Sequence, residues 1–264
     1  MTDDTPVRTL RLTVEYDGTA YCGWQIQPNG PTIQAELEEA WWKLTGERIR
    51  VRGAGRTDTG VHARGQVAAF RTTTAIPADS AAAALNTRLP ADIAIHDARE
   101  VPLSFDPRRD CVRKRYAYTI VNGPARPAIG RNTAWHIRRP LDAEAMRRAA
   151  IHFTGTHDFA AFSRRDDDVN DTVRTVLASE IAEVALPDGA PGNRRFIYLA
   201  EGKSFLYNMV RAIAGTLVDV GHGRFAPDDV PAILASGDRA RAGQSAPPGG
   251  LCLEWICYAG DADA

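Results

Sequence analysis

Two stretches in the second half of the chain, Val173 to Ala185 and Phe196 to Ala200, read as strands, and between them stands the heptapeptide PDGAPGN, Pro187 to Asn193. Proline, glycine, aspartate and asparagine at that density set the backbone for a tight reversal, so the flanking strands must pair antiparallel as a hairpin. A parallel pair would need a crossover of a dozen residues or more, usually a helix, and none fits in seven. The chain is therefore constrained to mix antiparallel sheet with helices, an α+β class rather than a doubly wound parallel fold.

The remaining periodicities agree. Leu10, Leu12, Val14 and Tyr16 alternate with polar residues as a half-buried strand does, and Ile33, Leu37, Ala40, Trp41 and Leu44 share one helical face that ends at Gly46. Strands are expected at Ile49 to Val51, Gln66 to Thr72, Ile93 to Val101, Val112 to Val121 and Leu251 to Tyr258. Helices are expected near Ser80 to Arg88, over Asp142 to Phe153 and over Ser204 to Val220. Pro102 to Pro107 reads as a linker, dividing the chain into an N-terminal half, residues 7–105, and a C-terminal half, residues 106–264. Both halves show the same order of strands and helices, compatible with an ancient duplication.

Bulk properties narrow the function. The acidic N-terminus lacks an apolar signal core, and no run of about 18 apolar residues occurs, so a soluble cytoplasmic protein with no membrane association is expected. The cysteines Cys22, Cys111, Cys252 and Cys257 form no CxxC pair, and His152 and His157 are spaced wrongly for a zinc helix, so no metal site is expected. The formal net charge of -1 hides an uneven distribution: Arg108 to Arg115, RRDCVRKR, holds five cations and one acid, and arginine pairs recur at Arg138/Arg139, Arg147/Arg148 and Arg194/Arg195. Of the 32 basic residues only Lys43, Lys114 and Lys203 are lysine, a balance suited to bidentate phosphate contacts.

The loop GAGRTDTGVHA, Gly53 to Ala63, carries the densest chemistry. As a dinucleotide fingerprint it fails, because Asp58 occupies the third glycine position and would repel a pyrophosphate. As a phosphate-binding P-loop it fails, because Val61 and His62 replace the lysine and hydroxyl residue. Asp58-Thr59-Gly60 spells the aspartic protease triplet, but no second copy supplies the partner carboxylate. In the helix FLYNMVRAIAGTLVDV, Phe205 to Val220, Arg211 stands among apolar neighbours, where a guanidinium seeks a carboxylate. If that carboxylate is Asp58, the pair would hold it ionised and oriented as a nucleophile.

GRTDTGVHA, KRYAYTI at Lys114 to Ile120, GTHDFAAF at Gly155 to Phe162 and GKSFLYNMVRAIAGTLVDVG at Gly202 to Gly221 together resemble the successive motifs of the tRNA pseudouridine synthase A (TruA) family. EYDGTAYCGWQIQP at Glu15 to Pro28 and the terminal GLCLEWICY extend the resemblance over nearly the whole chain. It departs from the family's usual GRTDAGVHA and FLYHMVRN at Thr59, Asn208 and Ala212, none of which carries assigned chemistry.

The resemblance implies the pseudouridine synthase fold, two similar halves with mainly antiparallel sheets flanked by helices around a basic cleft, with the Asp58 loop facing the Arg211 helix. It implies a homodimer that isomerises uridine in the tRNA anticodon stem-loop, at positions 38, 39 and 40, without cofactor or metal. Asp58 would be the catalytic carboxylate, attacking the sugar or acting through another sugar or base intermediate, and Arg211 its partner. Arg56 would intrude into the base stack to assist flipping, Tyr116 would pack on the flipped uracil, and Leu206 and Val210 would wall the pocket. Strand alternation puts Tyr118 on the same face as Tyr116, and only the family motif favours Tyr116. Phe105, Arg108 and Arg109 lie where the family contacts RNA, and Arg164 to Thr172 is a second candidate segment.

Overall fold

The computed structural model describes residues 6–164, 171–186 and 191–261. Along the chain these form strand β1 (Arg8–Tyr16), helix α1 (Ile33–Thr45), strands β2 (Arg52–Gly53) and β3 (His62–Thr72), helix α2 (Ala78–Asn86), and strands β4 (Ile93–Val101), β5 (Cys111–Asn122) and β6 (Trp135–Ile137). Helix α3 (Ala143–Ile151), strands β7 (Gly155–Asp158), β8 (Val173–Val184) and β9 (Arg194–Gly202), helices α4 (Met209–Gly221) and α5 (Val230–Ser236), and strand β10 (Leu251–Tyr258) follow. The class is α+β, and the chain divides into two compact units, Met1–Val112 with Leu253–Ala264, and Arg113–Cys252.

In the first unit β1 lies between β4 and β3, antiparallel to both, and β3 continues to β10. Leu10, Leu12, Val14 and Tyr16 bury one face of β1, as their alternation requires. Helix α1 buries Ile33, Leu37, Ala40 and Trp41, and the Trp41 ring meets Phe70 of β3 edge-on at 4.8 Å. Thr32 caps its first turn by accepting from Ala35 N, and Gly46, at φ 72°, ends it in the left-handed conformation that favours glycine. Arg11 leaves the opposite face of β1, lies 4.3 Å from the centre of the Tyr258 ring, and donates to both carboxylate oxygens of Asp261. Burial alone would raise the Asp261 carboxyl, but the Arg11 bonds and the Tyr258 backbone N–H outweigh it and hold the group below the usual carboxylate range.

The second unit is built on β5, β9, β8 and β7, each antiparallel to the next, with the short β6 added parallel to β5. Phe196, Tyr198 and Ala200 of β9 are fully buried. Helix α4 has buried residues all around its circumference, as an interior helix should. It runs against the segment containing Gln244 to Ala246, close enough at Gly215 that a Cβ there would stand 1.7 Å from the Gln244 carbonyl oxygen.

Several expected elements differ in extent. Ile49 to Val51 forms no strand, and pairing with β3 begins only at Arg52 and Gly53, opposite Ala69 and Ala68. Helix α4 begins at Met209 rather than Ser204, because Asn208 takes φ 62°, ψ 3° and interrupts a right-handed path. The short β6 and β7 and helix α5 are additional to the elements that the sequence pattern predicts. Strands β8 and β9 do pair antiparallel, while residues 187–190 of the connecting loop lie outside the described residues. Among the described residues no helix is long and apolar enough to cross a membrane.

Candidate active site

In the first unit, the Gly53 to Ala63 loop leaves β2 and returns as β3. Its start is fixed by Ala54 N donating to the Val67 carbonyl and by Gln66 Nε2 donating to the Gly55 carbonyl, each at 2.8 Å. Gly53 has the Trp24 indole over it, 2.6 Å from where a Cβ would stand, so no larger residue fits there without displacing the ring. Thr57 is buried, its hydroxyl 2.7 Å from the Tyr16 phenol and its carbonyl accepting from Trp24 N. At Gly23, φ 87° is combined with a Cβ position 2.5 Å from the Thr57 carbonyl oxygen, so glycine is doubly required beneath the loop.

Asp58 then opens a tight turn: its carbonyl accepts from Val61 N at 3.1 Å, and Gly60 takes φ 77° at the third position. That is the type II pattern, in which the third residue must tolerate positive φ. Asp58 is half-buried, while Arg56 and Thr59 are exposed. Arg56 makes no ion pair among the described residues. Behind the turn, His62 Nδ1 lies 3.1 Å from both Gly18 N and Asp17 Oδ1. A ring nitrogen that accepts from Gly18 has no proton for Asp17, so the nitrogen makes one of the two hydrogen bonds at a time.

Arg52, at the mouth of the loop, pairs at 3.5 Å with Asp106, which organises the turn carrying Phe105, Arg108 and Arg109. Asp106 Oδ1 accepts from the backbone N–H groups of both arginines at 2.9 Å. The two arginines differ. Arg108 is exposed with no ion pair among the described residues, whereas the Arg109 guanidinium donates to Asp110 and to the Ser104 carbonyl. Phe105 is half-buried with its ring 5.1 Å from that of Tyr258, a packing role that sequence alone did not indicate.

In the second unit, Tyr116 and Tyr118 project from β5 opposite Ala200 and Tyr198 of β9. Their environments separate them. Tyr118 is fully buried, its hydroxyl donates to the Pro247 carbonyl at 2.7 Å, and burial pushes the phenol well above its usual range. Tyr116 meets the ring of Phe205 edge-on at 5.3 Å and retains slight exposure. Leu206 and Val210 are buried, on either side of the Asn208 kink.

Arg211, in the first turn of α4, donates from Nε to the Ala246 carbonyl at 2.9 Å and from Nη1 to Asn208 Oδ1 at 2.7 Å. Its own carbonyl accepts from Ala246 N, so the segment following Gln244 is bound to this residue twice. Asn208, which the sequence marks only as a departure from the family motif, holds the Arg211 guanidinium through its side chain. Its backbone conformation was not legible, although asparagine is the non-glycine residue most at ease there. Of the Arg164 to Thr172 segment, residues 165–170 lie outside the described residues.

A family model described as tRNA pseudouridine synthase matches residues 12–109 and 149–259. A protein named tRNA pseudouridine synthase A from Geotalea daltonii is 47% identical over 252 residues, 96% of this chain and 100% of the relative. Its namesake from Myxococcus xanthus is 48% identical over 249 residues, 94% of this chain and 91% of the relative. A protein from Clostridium perfringens, named tRNA pseudouridine synthase A 2, is 45% identical over 252 residues, covering 96% of this chain and all of the relative.

Proposed function

Because this chain belongs to the tRNA pseudouridine synthase family, an isomerase of tRNA uridines, we propose that it acts on positions 38, 39 and 40 of the anticodon stem-loop with Asp58 as its catalytic carboxylate. The reaction breaks the bond from ribose C1' to uracil N1, turns the base and joins C1' to C5; the C5 proton leaves and N1 gains one, so nothing is oxidised or reduced. A carboxylate can serve it by attack on C1', as in a retaining glycosidase, or by assisting another route through a sugar or base intermediate.

The observation that carries the reading is the turn itself. It holds the half-buried Asp58 two residues beyond an exposed Arg56 that has no ion pair among the described residues. A uridine inside a stem must leave the stack before its glycosidic bond is accessible, and the planar Arg56 cation is suited to fill the space it vacates. Tyr116 would pack on the flipped uracil, with Leu206 and Val210 as apolar walls. Tyr118 is less suited to that role, because its hydroxyl is committed to Pro247.

Arg211 would be the second charged member of the catalytic set, alongside Asp58. This reading assigns the Asp loop to an N-terminal half, residues 7–105, and the Tyr and Arg motifs to a C-terminal half, residues 106–264, each built of antiparallel sheet and helices beside a basic cleft. Phe105, Arg108 and Arg109 would contact the RNA backbone, and the active form would be a homodimer in the cytoplasm.

Tritium release from 5-tritiated uridine in unmodified tRNA tests the assignment. Wild type should release label, and Asp58→Asn, which keeps size and hydrogen-bonding shape, should lower the single-turnover rate by about a thousand-fold or more. Undiminished release from that variant would remove Asp58 from the chemistry.

A further inference from the structure

Asn208 is the one non-glycine residue with positive φ among the described residues, and its side chain accepts a hydrogen bond from Arg211. At φ 62° and ψ 3° its backbone ends the approach to α4, and its carbonyl accepts from Ala212 N as the helix begins. It gives no side-chain cap to the helix N–H groups. The amide oxygen, which commonly caps a first turn when asparagine stands there, is instead 2.7 Å from Arg211 Nη1.

A second acceptor, the Ala246 carbonyl, takes the Nε proton at 2.9 Å. The donors of a guanidinium lie in one plane at fixed angles, so two bonds made at Nε and Nη1 fix both the position and the tilt of the group. Both acceptors are uncharged. They direct the cation while leaving its charge uncompensated by these bonds, whereas a carboxylate at position 208 would pair with it and weaken its field.

We propose that Asn208 is a positioning residue for the isomerisation: its left-handed backbone and neutral side-chain oxygen fix the position and tilt of the Arg211 guanidinium without neutralising it. The inference rests on the reading of Arg211 as part of the catalytic machinery. It concerns orientation of the cation, so its effect falls on the chemical step and not on capture of tRNA.

Two substitutions separate this role from a purely backbone one, since glycine and aspartate both accept positive φ. Asn208→Gly removes the acceptor, and Asn208→Asp keeps an oxygen in place but adds charge. Each should melt close to wild type and lower kcat by about ten-fold or more, with KM for tRNA within about two-fold. In an Arg211→Ala background Asn208→Gly should cost less than about two-fold further, because its partner is already gone. Wild-type kcat in either single variant, a loss confined to KM, or a full ten-fold loss on top of Arg211→Ala would overturn the proposal. If Arg211→Ala itself retained wild-type kcat, the failure would lie in the assignment of Arg211.

Discussion

At the scale of single residues, Thr59 and Gly60 are neighbours with opposite consequences. Thr59 is exposed in the turn that Asp58 opens, so Thr59→Ala should change stability by less than about 0.5 kcal/mol and leave tritium release unaltered. Gly60 holds φ 77°, where a Cβ is strained, so Gly60→Ala should cost about 1–2 kcal/mol in denaturant titration and slow release by disturbing the Asp58 backbone. The arginines after the linker divide similarly. Arg108 has no acidic partner among the described residues, and Arg108→Ala should reduce the salt dependence of tRNA binding by about one unit of slope. Arg109 is already bound to Asp110, so Arg109→Ala should change the slope less; equal slopes would mean that RNA displaces Asp110. The loop motif thus exposes Asp58 and Arg56 to a reader of the sequence. It does not reveal which arginine is spent on a neighbouring acid, because that depends on side-chain direction.

At the scale of elements, strands with clean alternation were legible almost to the residue. β4 and β10 coincide with their expected bounds, and β1 and β5 differ by one or two residues at their ends. Helix α4 was legible in kind but not in its start, since Phe205 and Leu206 continue its apolar pattern while the backbone at Asn208 does not continue its turn. β6 and β7 were missed because three or four residues cannot display a period, and their strand character comes from pairing with β5 and β8. What α4 rests on was also hidden, because the segment after Gln244 is distant in sequence and is admitted by the absence of a side chain at Gly215. Gly215→Ala would place a methyl 1.7 Å from the Gln244 carbonyl oxygen, a backbone atom that no rotamer change can move. The segment must shift, and with it the Ala246 carbonyl that holds Arg211 Nε. Overpacking of this kind costs about 1–3 kcal/mol, so the variant should unfold at lower denaturant and turn over more slowly at saturating tRNA. A stability loss with unchanged kcat would show that Ala246 keeps its place.

At the scale of the whole molecule, both units bury phenols whose ionisation must couple to unfolding. Burial raises Tyr118 and Tyr198 in the second unit and Tyr258 in the first above the ordinary range; Arg211 opposes the shift at Tyr118, the Ser179 bond at Tyr198 and Arg11 at Tyr258. Such a group keeps its proton in the native protein at a pH where the unfolded chain has lost it. Its contribution to stability is therefore complete below the ordinary tyrosine value of about 10, and declines as pH rises from there toward the raised native value. Tyrosinate absorbance from Tyr118, Tyr198 and Tyr258 should appear only together with loss of near-ultraviolet dichroism. Tyr198→Phe gives up the 3.1 Å bond with Ser179 but removes one ionisation, so it should lose less stability than wild type between about pH 8 and pH 11. If all seven tyrosines titrated near pH 10 with the fold intact, burial would not be holding these protons. The measurement separates burial of these phenols from effects local to the Asp58 turn, because Asp58→Asn should leave the alkaline transition where it is while slowing turnover by about a thousand-fold or more.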